Sequence, residues 1–588
     1  MSLQDENNIV QYGEKAHMEY GWSKNMRERM IQFHFQLVRT TTSSTLYHLQ
    51  NTYYQLINEL MFHSRFSTSS LDKEISCEFL ILLYKMIGQT RDIIDGKGEY
   101  TLSYMMIYIW YFFHPELACY ALISFVQNDS KEHPYGSWKD MKYFCHFCRL
   151  RGLPNDHFLI RYTICLMNDQ VKRDLEEFKK NKDTKNLSLV AKWIPREKSN
   201  KFAWLYDLLT RNFFSHYFET TTSDESYRKA QLKSNTEYRK IISLLNQQVD
   251  TLQIKQCNKK WSEIDFNKVT SISLAKQNSA FLNITKMGNQ RTYWTDRILC
   301  AENMKNYLQT NPTSIMKGKR LGVNDFVKQA MEVITYGDDH PEKEEFQLKK
   351  QILNAQWINH SSQNETLGKM IAMVDISGSM EGEPKNAAIG LGIRVAEKSI
   401  LGKRVMTFSA KPTWVNLEEC NDFVSMVDRI KKAESGTNTN FYAALDKILD
   451  AIVEANIAPE EVQDLMLIVF SDMQMDTQEG KAEKNTLYDT MKKKYEETGK
   501  RLYGKPLKAP HILFWNLRST NGFPTISNQS NCSMISGFNP SLLNLFCKQG
   551  FDSLQACTPW ALVVKSLENK RYQPLEKKSR EIFSSYKK

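Results

Sequence analysis

Ile371-Ala-Met-Val-Asp375-Ile-Ser377-Gly-Ser379-Met380 decides how this chain is read. Its first half is an apolar run with no polar alternation, as in a strand covered on both faces of a parallel sheet. The run leads into a loop with one carboxylate and two hydroxyls on alternate residues. Hard oxygen donors at that spacing converge on one small divalent cation, and Mg²⁺ favours them in octahedral geometry. The plainer alternative is that Asp375, Ser377 and Ser379 cap the next helix, as Ser and Asp commonly do.

Two later segments extend the set. Leu465-Met-Leu-Ile-Val-Phe470-Ser471-Asp472 is a second unalternated apolar run, and it ends in an acid. Ser435-Gly436-Thr437-Asn-Thr439-Asn-Phe-Tyr-Ala-Ala-Leu445 is a polar loop opening a helix, with Thr439 favoured over Thr437 by its distance from Leu445. Ligands of open α/β sheets gather outside the carboxyl ends of the strands. Asp375, Ser377, Ser379, Thr439 and Asp472 are therefore expected at one sheet edge, around Mg²⁺ or another divalent cation such as Mn²⁺ or Ca²⁺. The order Asp-x-Ser-x-Ser, then a threonine, then an aspartate after a later strand, resembles the metal-ion-dependent adhesion site of von Willebrand factor A domains. That resemblance implies a Rossmann-like domain with a doubly wound, mainly parallel sheet. It also implies a metal whose open position takes a partner's carboxylate.

At 588 residues the chain is too long for one core, and its 41% hydrophobic and 12% aromatic content is that of a globular protein. After residue 367 strands and helices alternate: strands over 368–376, 403–408, 465–471 and 510–517, with helices from 384, near 419–432, from 440 and through 481–500. Such alternation predicts a parallel sheet with helices on both faces. The part before it reads as helical. Apolar residues recur at i, i+3 and i+4 over 76–87, 102–113, 156–172 and 201–217, separated by Gly- and Pro-containing turns. Helices in series predict an α-solenoid. The expected class is thus α plus α/β. Its parts are a helical extension over 1–70, a helical-repeat domain over 71–335, a charged linker over 336–366, the α/β domain over 367–570 and a basic tail over 571–588.

Several motifs of the helical part resemble TROVE-type proteins. Thr90-Arg91-Asp92-Ile-Ile-Asp-Gly96-Lys97-Gly98-Glu99-Tyr100 is similar to their Arg-Asp…Gly-Lys-Gly-Glu element, and Tyr135-Gly136-Ser-Trp138-Lys139-Asp140 to their Tyr-Gly-x-Trp-Lys-Asp. Ala191-Lys192-Trp193-Ile-Pro195-Arg196-Glu197, Tyr227-Arg228, Tyr238-Arg239, Trp261-Ser-Glu-Ile264-Asp265 and Phe514-Trp515-Asn516-Leu517-Arg518 continue the series. In this order, over residues 75–560, they resemble the domain-of-unknown-function 2828 family of fungi, plants, amoebae and giant DNA viruses, which is similar to the Ro autoantigen. The chain departs from it at Tyr100, where the family often has arginine, and at Thr270, where many members have proline. The resemblance implies a HEAT-like, TROVE-like ring or horseshoe joined to a von Willebrand A domain, and binding of structured small or defective RNA. Arg91, Lys97, Lys139, Lys192, Arg196, Arg228 and Arg239 then become the candidate RNA contacts, since cations meet phosphates while aromatics stack on unpaired bases. The plain alternative for each is an ion pair or a solvated surface.

Charge and motif absences narrow the function classes. The net charge is +11, most of it before residue 361, which is compatible with RNA without demanding it. There is no phosphate loop of the GxxxxGK[ST] form, no G-x-S-x-G elbow, no HExxH, and no histidine near Ser377, so neither catalysis nor a small-molecule substrate is expected. The eleven cysteines are scattered, and the single close pair, Cys145 and Cys148, lies at helical spacing, which fits buried thiols in a reducing compartment better than zinc. The longest apolar run, 104–113, is shorter than a bilayer span, and the first residues lack a signal-peptide pattern. A cytoplasmic protein without membrane contact is expected. The richness in Asn, Lys, Tyr, Phe and Ile suits an AT-rich amoebal or giant-virus genome, and with it a place in the virion. Two functions stand open: an RNA-binding ribonucleoprotein component, or a scaffold whose metal captures a protein partner's carboxylate without RNA.

Overall fold

The unalternated apolar runs do form a sheet. The structure, a computed structural model, describes residues 9–14, 17–40, 42–127, 132–181, 186–285, 288–310, 316–339, 344–408, 411–433, 441–462, 464–474, 487–547 and 556–586. An antiparallel ribbon, β1 (Val10–Tyr12) with β2 (Met18–Tyr20), comes first. Then β3 (Met370–Asp375), β4 (Arg404–Phe408), β5 (Thr413–Asn416), β6 (Met466–Ser471), β7 (His511–Asn516) and β8 (Cys532–Ser536) form one sheet in the order β5-β4-β3-β6-β7-β8. All neighbours are parallel except β4 with β5. Every residue of β6, β7 and β8 is buried, which is why their sequences carry no alternation. Helix Glu383–Lys398 lies against β3 at Gly392, where a Cβ would sit 2.4 Å from Val374 Cγ2. Only glycine allows that approach.

The chain divides into two compact units, and not at the boundaries expected. The larger comprises Met1–Glu99, Asn267–Gln290 and Met304–Lys588; the smaller comprises Tyr100–Phe266 and Arg291–Asn303. The stretch 336–366, expected as a linker, belongs to the core of the larger unit. Helix Glu344–Ser361 buries Trp357, which stacks on Phe423 with ring centroids 3.9 Å apart. The fully buried Arg394 lies over the same ring, its guanidinium 4.3 Å from the Trp357 centroid. The expected basic tail is a helix, Gln573–Phe583, docked on helix Ser70–Arg91. Ion pairs run both ways across this contact: Arg580 of the tail helix meets Glu78 at 2.6 and 2.8 Å, and Lys85 meets the tail's Glu576 at 2.5 Å.

A buried polar network ties the first hundred residues to the sheet. Lys97 Nζ donates to the carbonyls of His34 and Leu37 at 2.7 and 3.2 Å and to Ser536 Oγ, at the end of β8, at 2.6 Å. Asp92 receives Arg571 through two bonds of 2.6 and 2.7 Å. Asn516 Nδ2, at the end of β7, donates to Phe35 O at 3.1 Å. The Gly-Lys-Gly element is therefore an internal joint. A Cβ on Gly96 would come within 2.0 Å of Gln89 O.

The smaller unit is helical, as its spacing predicted: Tyr100–Phe113, Pro115–Ser124, Trp138–Leu150, Phe158–Asn181, Ala203–Phe213 and Asp224–Val249 are its longer elements. Asp140 explains the Tyr-Gly-x-Trp-Lys-Asp motif. It closes the capping box with Ser137 and takes the Tyr104 hydroxyl at 2.6 Å. Cys145 and Cys148 are buried in helix Trp138–Leu150, and burial pushes the Cys145 thiol up to about 12. Among the described residues no helix is long and apolar enough to cross a membrane.

Arg571→Ala leaves the Asp92 carboxylate buried without its cation. Urea denaturation is expected to show a loss of about 3–5 kcal/mol, and Asp92→Leu with Arg571→Met a smaller one. Equal losses would mean the pair is not what the joint depends on.

Candidate metal centre

β3 and β6 are adjacent and parallel, with Val374 opposite Phe470. Asp375 therefore closes β3 beside the point where Asp472 follows β6. The chain leaves β3 for β4 on one side and returns at β6 on the other, so the two acids sit at the switch point of the sheet, where a crevice opens past the strand ends. Asp375 and Ser377 are fully buried, Asp472 is nearly so, and Ser379 is half-buried.

Hydrogen bonds hold this group together. Ser377 N donates to Asp375 Oδ1 at 2.9 Å, and Ser471 Oγ donates to Asp375 Oδ2 at 2.6 Å. The hydroxyls of Ser377 and Ser379 are 3.1 Å apart. Gln474 N donates to Asp472 Oδ1 at 3.1 Å. Helix capping does not account for these residues: the N-cap of Glu383–Lys398 is Gly382, and the Ser377 side chain makes no capping bond to the short turn Gly378–Met380. Thr439 and its alternative Thr437 lie outside the described residues.

Burial, and then the charge of Asp472, push the Asp375 carboxyl up to about 6, against the bonds from Ser377 and Ser471. A positive charge between the two acids would reverse that push. Arg518, legible in the sequence only as part of a motif, stands on the Asp472 side of the pair. It donates to the Ser379 carbonyl and approaches Asp472 Oδ2 at 3.9 Å, with half its side chain in solvent. Two carboxylates and two hydroxyls form a hard donor set that fits Mg²⁺, Mn²⁺ or Ca²⁺. Among the described residues there is no group of three or more His, Cys, Asp or Glu side chains arranged for a metal, so any cation here depends on the serine oxygens.

The seven cations proposed from sequence fall into distinct settings. Lys97 is buried with its three donors on protein oxygens, and Arg91 is also buried; neither offers a surface to RNA, and both are corrections to the sequence reading. The charge was legible in the sequence, but its burial was not. Arg196, Arg228 and Arg239 are exposed, and Arg239 meets Glu197 at 2.7 Å. Lys139 and Lys192 gather with two residues not anticipated, Lys142 and Lys201. Lys139, Lys142 and Lys192 stand 6.0, 5.0 and 5.8 Å from the Trp193 ring, and Lys139 and Lys201 each 5.2 Å from the Tyr143 ring. Burial and the neighbouring Lys139 lower Lys142 to about 8. The i, i+3 spacing of Lys139 and Lys142 was the available signal.

Comparison with known proteins fits these two regions. Residues 154–296 match a domain of unknown function, DUF2828, and residues 369–585 match another, DUF7788. The chain is also similar to uncharacterized protein L728 of Acanthamoeba polyphaga mimivirus, 27% identical over 522 residues, covering 86% of this chain and 80% of that one. The expected likeness to the 2828 family thus holds over a shorter stretch than its motifs suggested, and the giant-virus association has a counterpart.

Asp375 keeps its proton to a higher pH when folded than when unfolded. The cation-free fold is therefore expected to lose stability as pH rises from about 4 to about 6. Asp375→Asn should flatten that dependence in pH-resolved denaturation, stabilise the cation-free protein by about 1–3 kcal/mol at neutral pH, and abolish divalent-cation binding in calorimetry. A destabilised variant would show that Asp375 serves the fold.

Proposed function

We propose that this chain is a non-catalytic, Ro-like RNA-binding protein, with a TROVE-like helical-repeat part and a von Willebrand A domain that holds Mg²⁺. The observation that carries the reading is the cluster of Lys139, Lys142, Lys192 and Lys201 around Trp193 and Tyr143. Four ammonium groups gathered around two aromatic rings attract a polyanion, and phosphates release their counterions on meeting them. Arg196, Arg228 and Arg239 are exposed on the same unit, Arg239 in an ion pair with Glu197.

In this reading Asp375, Ser377, Ser379 and Asp472, with Thr439, hold the cation. The bound cation supplies an open coordination position and relieves the repulsion of the two acids. Ser471 and the Ser377 amide orient Asp375 for it. Arg518 sits where an incoming anion would meet the site. That placement favours a second reading, in which the site captures an acidic residue of a protein partner and RNA plays no part. Cytoplasm and virion both suit either reading.

The test is crosslinking and sequencing of RNA on the purified full-length protein. Discrete RNAs are expected on the wild type and on Asp375→Ala, and not on Lys142→Glu/Lys192→Glu/Lys201→Glu. The milder Lys→Gln triple should lower the slope of log affinity against log salt by about 2–3. RNA absent from every sample would overturn the reading and leave metal-dependent protein capture.

A further inference from the structure

Two large aromatic side chains stand side by side in solvent: Tyr293 is 82% and Trp294 60% exposed. A lone exposed ring needs no explanation, but adjacent ones begin a patch. The backbone beneath them is firmly held. Asp296 accepts bonds from the amides of Trp261 and Ser262, both at 2.8 Å, and from Ser262 Oγ at 2.7 Å. The Arg297 guanidinium lies 3.7 Å from the centroid of the Trp261 ring. Asn303 Nδ2 donates to Ser262 O at 3.0 Å. The turn before Trp261 is thus fastened to the start of helix Thr295–Thr310.

That turn carries Lys259 at a φ of 57°, a left-handed backbone costing a lysine roughly 1–2 kcal/mol. Such strain persists where the surroundings impose it. Here it sets the Lys259 ammonium 5.0 Å from the Trp294 ring. Arg291, two residues before Tyr293, is exposed. The acids nearby are engaged elsewhere: Asp296 by the amides, Asp250 by Lys255 at 3.2 Å, and Glu263 by Lys260 at 3.1 Å. Lys259 covers one face of Trp294, and both rings otherwise stand in solvent with Lys259 and Arg291 at hand, on a scaffold already ordered.

We propose that Tyr293 and Trp294 form a stacking platform for unpaired nucleobases, with Lys259 and Arg291 holding the flanking phosphates. The proposal rests on the RNA-binding reading and adds a site separate from the lysine cluster at Trp193. Stacking accepts any base, since each has a π-face, but not bases already stacked within a duplex. The platform therefore selects single-stranded RNA with little regard to sequence.

The experiment is fluorescence anisotropy of the full-length protein with a labelled oligouridylate of about 15 nucleotides and a duplex of equal length. Tyr293→Ala/Trp294→Ala is expected to weaken the single strand about 10- to 100-fold and leave the duplex unchanged, while Trp294→Phe keeps most of the affinity. Lys259→Gln/Arg291→Gln should reduce the salt slope by about 1.4. Since these residues are exposed, thermal melts should match wild type. Wild-type affinity in the Ala pair, with Lys142→Glu/Lys201→Glu impaired, overturns the platform and keeps the RNA reading. A wild type that binds neither RNA overturns both. Quenching of Trp294 by an acidic peptide and not by oligouridylate would mark the rings as a protein-docking surface and also overturn the proposal.

Discussion

A buried ammonium holds together three segments far apart in the chain. Lys97 has three hydrogens to donate, and the structure gives it three acceptors: the carbonyls of His34 and Leu37 and the hydroxyl of Ser536. Burial drives its pKa well below the ordinary range, with the Glu99 charge opposing. The ammonium is tolerable there only because each hydrogen is used. The same joint aligns the end of helix Met26–Gln36 with the ends of β7 and β8, through Asn516 to Phe35 and Ser536 to His34 and Leu37. The ends of those strands bound the crevice edge on which Arg518 sits. The candidate metal centre thus inherits part of its shape from residues more than 330 positions earlier.

Two buried aspartates of the larger unit show opposite solutions to one electrostatic problem. Asp92 has an arginine from the same chain, joined through two short bonds. Asp375 has hydroxyls, an amide and a second acid, and its carboxyl is pushed up toward neutrality. An internal cation completes the first. The second is satisfied in geometry but not in charge, the pattern that marks groups poised for something brought from outside.

The sheet and its acids were legible because burial on both faces leaves a plain mark: runs such as Met466–Ser471 without alternation, each ending at the crevice. Asp375 and Asp472 could be paired from sequence since parallel strands put their carboxyl ends on one edge. What failed was legible only through three-dimensional packing. Acids cluster in the first turn of Glu344–Ser361 and make it look like a linker, while Ile352, Leu353 and Trp357 do the burying. Lys97 looked like a ligand for phosphate because sequence records charge and not enclosure. Arg518 came to Asp472 from the loop after β7, with no spacing rule to announce it. Short edge strand β5 was missed for want of length, and buried β8 because Ser533 and Ser536 break its apolar run.

The larger unit is interrupted in sequence: the chain leaves it after Glu99 and enters it again at Asn267. Asp92 and Lys97 leave the ribosome hundreds of residues before Arg571 and Ser536. At ordinary elongation rates the wait is on the order of half a minute or longer. During that interval the carboxylate lacks its arginine and the ammonium lacks one of its three acceptors, whereas the inserted helical unit can already close on itself. Nascent chains should therefore pass through a stage with a finished middle and unfinished flanks, vulnerable to proteases at the front end. Emergence of the segments that carry Ser536 and Arg571, more than any local helix formation, marks the moment at which the first hundred residues become native.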